Sequence, residues 1–115
     1  EMSRGLGDVY KRQLLDALVL STAEREPTYG YRITQQVRQI MMVSESTLYP
    51  VLRRLQKEGH LETYDQEFAG RNRRYYRLTP SGAETLAKLR AEQMEIVKQK
   101  LEDIVEGGDR RIAVE

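Results

Sequence analysis

VSESTLYPVLRRLQKEGHL, from Val43 to Leu61, carries the clearest pattern in this 115-residue chain. Leu48, Leu52 and Leu55 recur at i, i+4 and i+7 with Val51 beside them, which marks one apolar face of a helix. Ser44 or Ser46 can start that helix, because a serine hydroxyl accepts from an otherwise unpaired N–H of the first turn. Arg53, Arg54 and Lys57 make its C-terminal half basic, and Glu58-Gly59 stops it. Pro50 lacks the N–H that an interior position needs. The first turn is therefore predicted to be bent, with a regular helix from Pro50 to Glu58.

Upstream, Tyr10, Leu14, Leu15, Leu18 and Val19 predict a first helix from about Val9 to Ala23, with Asp8 as its cap. Glu26-Pro27-Thr28 breaks it. A second helix follows from Tyr29 or Gly30 to Gln39, capped by Thr28, with Tyr31, Ile33, Val37 and Ile40 facing inward. Downstream, Leu61–Phe68 and Arg74–Leu78 read as two strands around a loop at 69–73, where Gly70 can take positive φ. Tyr75 and Tyr76 then point to opposite faces, one of them into the core. Thr79 caps a last helix with Pro80 at its first position, running to about Val105 and ended by Gly107-Gly108.

Three helices backed by a hairpin and followed by one long helix make a mainly α chain with a small β-hairpin. The expected architecture is a winged helix-turn-helix over residues 5–80, a C-terminal dimerisation helix over 81–106, and a flexible tail over 107–115.

The net charge of +1 hides an uneven distribution. Phe68 to Gly82 holds four arginines and no acid, whereas Glu84 to Glu106 holds six acids against four bases. A basic patch inside a near-neutral chain predicts a polyanion met by one surface. With no cysteine, disulfides and thiolate metal sites are excluded. The lone His60 has no partner ligands, so no metal and no cofactor are expected. Asp8, Asp16 and Glu24 have no histidine or glycine-rich loop nearby, and no nucleophile–base pair emerges; the chain reads as a non-enzyme. No apolar run approaches membrane-spanning length and no secretion signal is evident, so a cytoplasmic location is expected and a membrane partner is not.

Double-stranded DNA is the polyanion that this arrangement suits. Ser44, Ser46, Thr47 and Tyr49 sit where helix N–H groups and short hydroxyls meet phosphates or base edges. Arg53, Arg54 and Lys57 are further candidate DNA contacts: Arg53 and Lys57 share a face four residues apart, while Arg54 is turned about a third of the way round and has pairing with Glu58 as its alternative. Gly70, Arg71, Asn72, Arg73 and Arg74 form the wing, whose charges repel one another unless solvated or facing an anion. Lys11, Arg12, Tyr31 and Arg32 are candidate flanking phosphate contacts. Along the last helix, Leu86, Leu89, Gln93, Met94, Ile96, Val97, Leu101, Ile104 and Val105 approximate a seam too long for this small core to cover. A second copy of the chain is the simplest cover, giving a homodimer.

With these pieces in place the chain resembles the PadR family of transcriptional regulators. YGYRI at Tyr29–Ile33, STLYPVLRRLQKEGHL at Ser46–Leu61, GRNRRYYRLTPSG at Gly70–Gly82 and the single C-terminal helix carry the resemblance, which spans Leu14 to Leu89. It implies a cytoplasmic, homodimeric, winged helix-turn-helix repressor whose terminal helices cross the partner. It also implies a small-molecule effector near the dimer interface, for which Val9, Leu15, Met94, Val97 and Leu101 are candidate pocket residues. Ser46 stands where the family often has glycine. The absence of tryptophan argues against a flat aromatic drug-stacking pocket. The alternative reading is a winged-helix protein interaction module that does not bind DNA, suggested by the modest total charge and the acidic last helix.

Overall fold

The structure, a computed structural model, describes residues 2–114, with side chains described over 9–105. Helix α1 spans Met2–Arg25, strand β1 Thr28–Tyr29, α2 Gly30–Arg38, α3 Glu45–Lys57, β2 Leu61–Phe68, β3 Arg71–Leu78 and α4 Pro80–Val114. The winged helix-turn-helix arrangement is therefore present: three helices, a small antiparallel sheet and one long terminal helix.

The core is one cluster assembled from every element except β1. Leu15, Val19, Leu20 and Ala23 of α1 meet Ile33 and Val37 of α2 and Leu48, Leu52 and Leu55 of α3. Leu61, Tyr76, Leu86 and Leu89 close it from the sheet and α4. The α3 leucines are 0%, 0% and 1% exposed. Burying a leucine contributes about 1.5–3 kcal/mol, so this stripe holds α3 firmly on the body. Pro50 does not interrupt it. The proline is exposed, so the single missing bond falls on the solvent side, and α3 runs regularly from Glu45.

Several boundaries differ from those expected. Helix α1 begins at Met2, through Gly5, Gly7 and the expected cap Asp8, and ends at Arg25; the side chains of 1–8 lie outside the described residues. Thr28 is not a cap. It is buried in β1 and pairs with Tyr76, while Tyr29 stands at the N-cap of α2 without a side-chain bond. Thr34, not Tyr31 or Ile40, completes the inner face of α2; Tyr31 is 50% and Ile40 71% exposed. Nothing folds back over the α2–α3 link to cover Ile40 among the described residues.

The sheet has the order β1-β3-β2. Pairing between β2 and β3 continues from Leu61↔Leu78 out to Phe68↔Arg71, leaving only Ala69 and Gly70 in the turn. Both have positive φ, 55° and 76°, as a two-residue hairpin turn requires to match strand twist. Arg71, Asn72 and Arg73 are thus strand residues, not loop.

Thr79 caps α4 as its sequence predicts: its hydroxyl accepts from the Gly82 N–H at 2.9 Å and donates to the Gly59 carbonyl at 2.6 Å. At 35 residues, α4 is about 52 Å long at 1.5 Å per residue. It continues across Gly107-Gly108, where its end was expected, because interior glycine costs a helix only about 1 kcal/mol. The side chains of 106–115, which include the tail expected over 107–115, lie outside the described residues. The first half of α4 packs on α1, where Arg90 donates to both carboxylate oxygens of Glu24 (2.8 and 3.2 Å) and to Ser21. That bond holds the Glu24 carboxyl below its ordinary value.

Candidate nucleic-acid interface

The exposed face of α3 is built opposite its leucines. Residues 46, 50, 53 and 57 fall within one narrow sector of a helix with 3.6 residues per turn, and Ser46, Pro50, Arg53 and Lys57 are all exposed. Ser44 is the N-cap, its Oγ accepting from the Thr47 N–H at 3.3 Å. The same hydroxyl lies 2.9 Å from Ser46 Oγ and 3.0 Å from Thr47 Oγ1, so three exposed hydroxyls form one connected ridge at the head of the helix. Tyr49 is half-buried and lies over Gly30, where an added Cβ would meet its ring at 3.4 Å and that of Tyr76 at 3.6 Å. Those are ordinary van der Waals distances, so α2, α3 and β3 meet in contact at this corner without a clash at position 30.

Arg54 departs from the expectation of a DNA contact. Its Nη2 donates to Asp16 Oδ1 on α1 at 2.5 Å and its Nη1 to Glu58 Oε1 at 3.2 Å. Its position on the helix, about 100° round from Arg53, carries the guanidinium toward the body. Burial pushes the Asp16 carboxyl above its ordinary value, and the Arg54 guanidinium offsets only part of that rise. No such carboxylate contact to Arg53 or Lys57 is present among the described residues.

The wing divides its arginines between two jobs. On the outer face of the sheet, Arg73 lies over the rings of Tyr29 (4.4 Å) and Phe68 (5.8 Å) and is half-buried. Arg77 pairs with Glu62 at 2.8 Å and covers Tyr64 at 4.8 Å. Tyr75, on that same face, stacks on Tyr64 at 5.6 Å, while Tyr76 turns inward and is 8% exposed. Arg73 is thus a stacked residue, not a cation projecting from the tip. Arg71, Asn72 and Arg74 are exposed near the turn, Arg74 within 3.8 Å of Asp65. Only the alternation of arginine and aromatics in RRYYR hinted at this stacking; the cross-strand partners were invisible.

Among the flanking candidates, Lys11 and Arg12 are exposed on α1, and Tyr31 and Arg32 on α2, with Arg32 3.8 Å from Glu26. His60 contacts Ser81 Oγ at 3.0 Å and joins the cap of α4 to the end of α3. Among the described residues no three His, Cys, Asp or Glu side chains converge as a metal site, and no helix is long and apolar enough to cross a membrane.

The expected seam on α4 splits. Leu86 and Leu89 are 1% and 9% exposed because α1 of the same chain covers them, and they belong to the core. Gln93 and Ile96 are half-buried. Beyond them Met94, Val97, Leu101, Ile104 and Val105 are 50–67% exposed. Met94, Val97, Leu101 and Val105 line an open groove with Lys98 and Glu102. Leu15, expected in an effector pocket, is buried in the core at 5% exposure, whereas Val9 is exposed.

A family model, described as the Transcriptional regulator PadR-like family, matches residues 19–88. The transcriptional regulator Rv3488 of Mycobacterium tuberculosis is 33% identical over 93 residues, 80% of this chain and 87% of that protein. The crystal structure of smu.1704 from Streptococcus mutans UA159 matches with a TM-score of 0.74 at 42% identity, covering 84% of this chain and 90% of that one. A PadR family transcription regulator from Clostridium difficile R20291 matches with a TM-score of 0.67 at 28% identity, covering 79% and 97%.

Proposed function

We propose that this chain, which belongs to the PadR-like family of transcriptional regulators, binds double-stranded DNA as a homodimer and represses transcription from the cytoplasm. The observation that carries this reading is the face of α3, where exposed hydroxyls and the cations Arg53 and Lys57 stand opposite a fully buried leucine stripe. A rigidly seated helix with a polar, cationic outer face suits the major groove, and its hydroxyl-rich N-terminus suits phosphate. Arg71, Asn72 and Arg74 beside the wing turn supply a second contact. Lys11, Arg12, Tyr31 and Arg32 flank it.

Residues 5–80 form the DNA-binding part in this reading, and the dimer forms along the outer half of α4. Five large apolar side chains at 50–67% exposure make a patch that a soluble monomer rarely presents. A second copy related by two-fold symmetry covers it and sets two recognition helices about one helical turn apart on an operator of matching symmetry. The groove at Met94, Val97 and Leu101 is the place for a small-molecule effector at that seam.

The test is a mobility shift on the duplex upstream of the coding sequence, repeated across salt concentrations. Log affinity is expected to fall linearly with log salt, and Arg53→Ala and Arg71→Ala each to flatten the slope by about 0.9 per lost phosphate contact. Absence of a shift at low salt would instead favour a winged-helix protein interaction module.

A further inference from the structure

We infer that Arg54 is a positioning residue for DNA reading: through Asp16 it sets the roll of α3 against α1 and thereby aims Arg53 and Ser46. The inference rests on the reading of α3 as the DNA-contacting helix.

The leucine stripe and the ion pair do different things. Leu48, Leu52 and Leu55 bury α3 and prevent any large roll, but apolar contact is non-directional and leaves the last few degrees about the helix axis to polar contacts. The Arg54–Asp16 contact is directional. It is charge-assisted, measures 2.5 Å, and links residues 38 apart in the chain. Side-chain exposures of 28% for Arg54 and 15% for Asp16 shield it from solvent. Among the hydrogen bonds of the described residues, no other side-chain bond joins α1 to α3. Gln56 ties α3 to Thr63 of β2, and Arg38 pairs with Glu45 from α2 at 3.7 Å.

Glu58 holds the other end of the guanidinium from within the same helical segment. It orients Arg54 without contributing to the link with α1. Arg53 is the adjacent residue, so any roll that lengthens the Asp16 contact swings Arg53 by the same angle. A partly buried ion pair of this kind adds little net stability, because desolvation offsets much of the attraction. Directional constraint on α3 is what remains.

The experiment compares the unaltered chain with D16A, R54M, the double variant and E58A. Affinity is measured across salt for the upstream duplex and for a scrambled duplex of equal length. Positioning predicts that D16A and R54M each weaken the upstream duplex about tenfold and that the double variant weakens it by the same factor, since coupled sites are non-additive. The salt slope and the scrambled-duplex affinity stay within error, and E58A stays within about twofold. A phosphate contact by Arg54 predicts the opposite: R54M flattens the slope by about 0.9 while D16A frees the cation and leaves or raises affinity. That pattern overturns the inference and leaves DNA binding intact. Loss by E58A equal to that of D16A also overturns it, as a general charge effect. Should D16A unfold, D16L stands in, keeping the volume without a hydrogen-bond acceptor; affinity within twofold of the unaltered chain then overturns the inference. No shift with the unaltered chain removes the underlying reading and the inference together.

Discussion

Gly82 passes so close to His60 that a Cβ at position 82 would lie 2.1 Å from the His60 carbonyl oxygen. That carbonyl accepts the Thr79 N–H at 3.2 Å, and the Thr79 hydroxyl bridges Gly59 O and Gly82 N. The end of α3, the start of β2 and the start of α4 are thus locked at one point. Helix α3 and the long terminal helix share a fixed joint.

Gly82→Ala is expected to destabilise the chain by about 2 kcal/mol or more, because the obstructing atom is backbone and cannot swing aside. Urea unfolding followed by circular dichroism measures it. A midpoint matching that of the unaltered protein would mean the joint opens freely.

Ala69→Gly at the wing turn is expected to act in the other direction. Ala69 holds φ of 55°, a region that costs an L-residue roughly 1–2 kcal/mol and glycine almost nothing. After the extra chain entropy of glycine in the unfolded state, a gain of about 0.5 kcal/mol remains. The same urea titration reads it, and a net loss would argue against the two-residue turn.

Two carboxylates give stability opposite pH dependences. The Arg90 bond holds Glu24 below its ordinary 4.5, so its contribution is present above 4.5 and is lost as pH falls through the depressed folded value. Burial holds Asp16 above its ordinary 3.8, so stability falls as pH climbs from below 3.8 through the raised folded value. Unfolding midpoints across this range are expected to lose the acid-side decline in E24Q and the rising-pH decline in D16N. Parallel curves for all three proteins would contradict both assignments.

Replacing Val97 and Leu101 together by glutamate is expected to leave the fold intact and convert the proposed dimer to a monomer. Both side chains are at least half exposed, so the chain's own core does not need them, while like charges facing each other across a two-fold seam repel. Light scattering decides between the two masses; an unchanged mass for the variant excludes this face as the seam.

The local features were legible in the residues because their causes are local. The spacing of Leu48, Leu52 and Leu55 is a helical period, Thr79-Pro80 is a cap followed by a first-turn proline, and Gly70 is the residue that tolerates positive φ; each stands where it was expected. Strand β1 was not legible. Two residues carry no period, and Thr28-Tyr29 becomes a strand only because Tyr75 and Tyr76 arrive beside it.

The same boundary divides the arginines and the apolar stripe. Arg53 and Arg54 are chemically identical neighbours; the sequence puts them on different sides of a helix, but only the fold brings Asp16 to one of them. Leu86 and Leu101 belong to one apparent seam, yet α1 reaches the first and not the second. Sequence alone determined the four helices, the hairpin, their polarity and the family they resemble, because propensity, capping and periodicity act over a few residues. Tertiary structure decided which cations are drawn into ion pairs and which apolar residues stay exposed, because ion pairing and burial depend on residues distant in the chain.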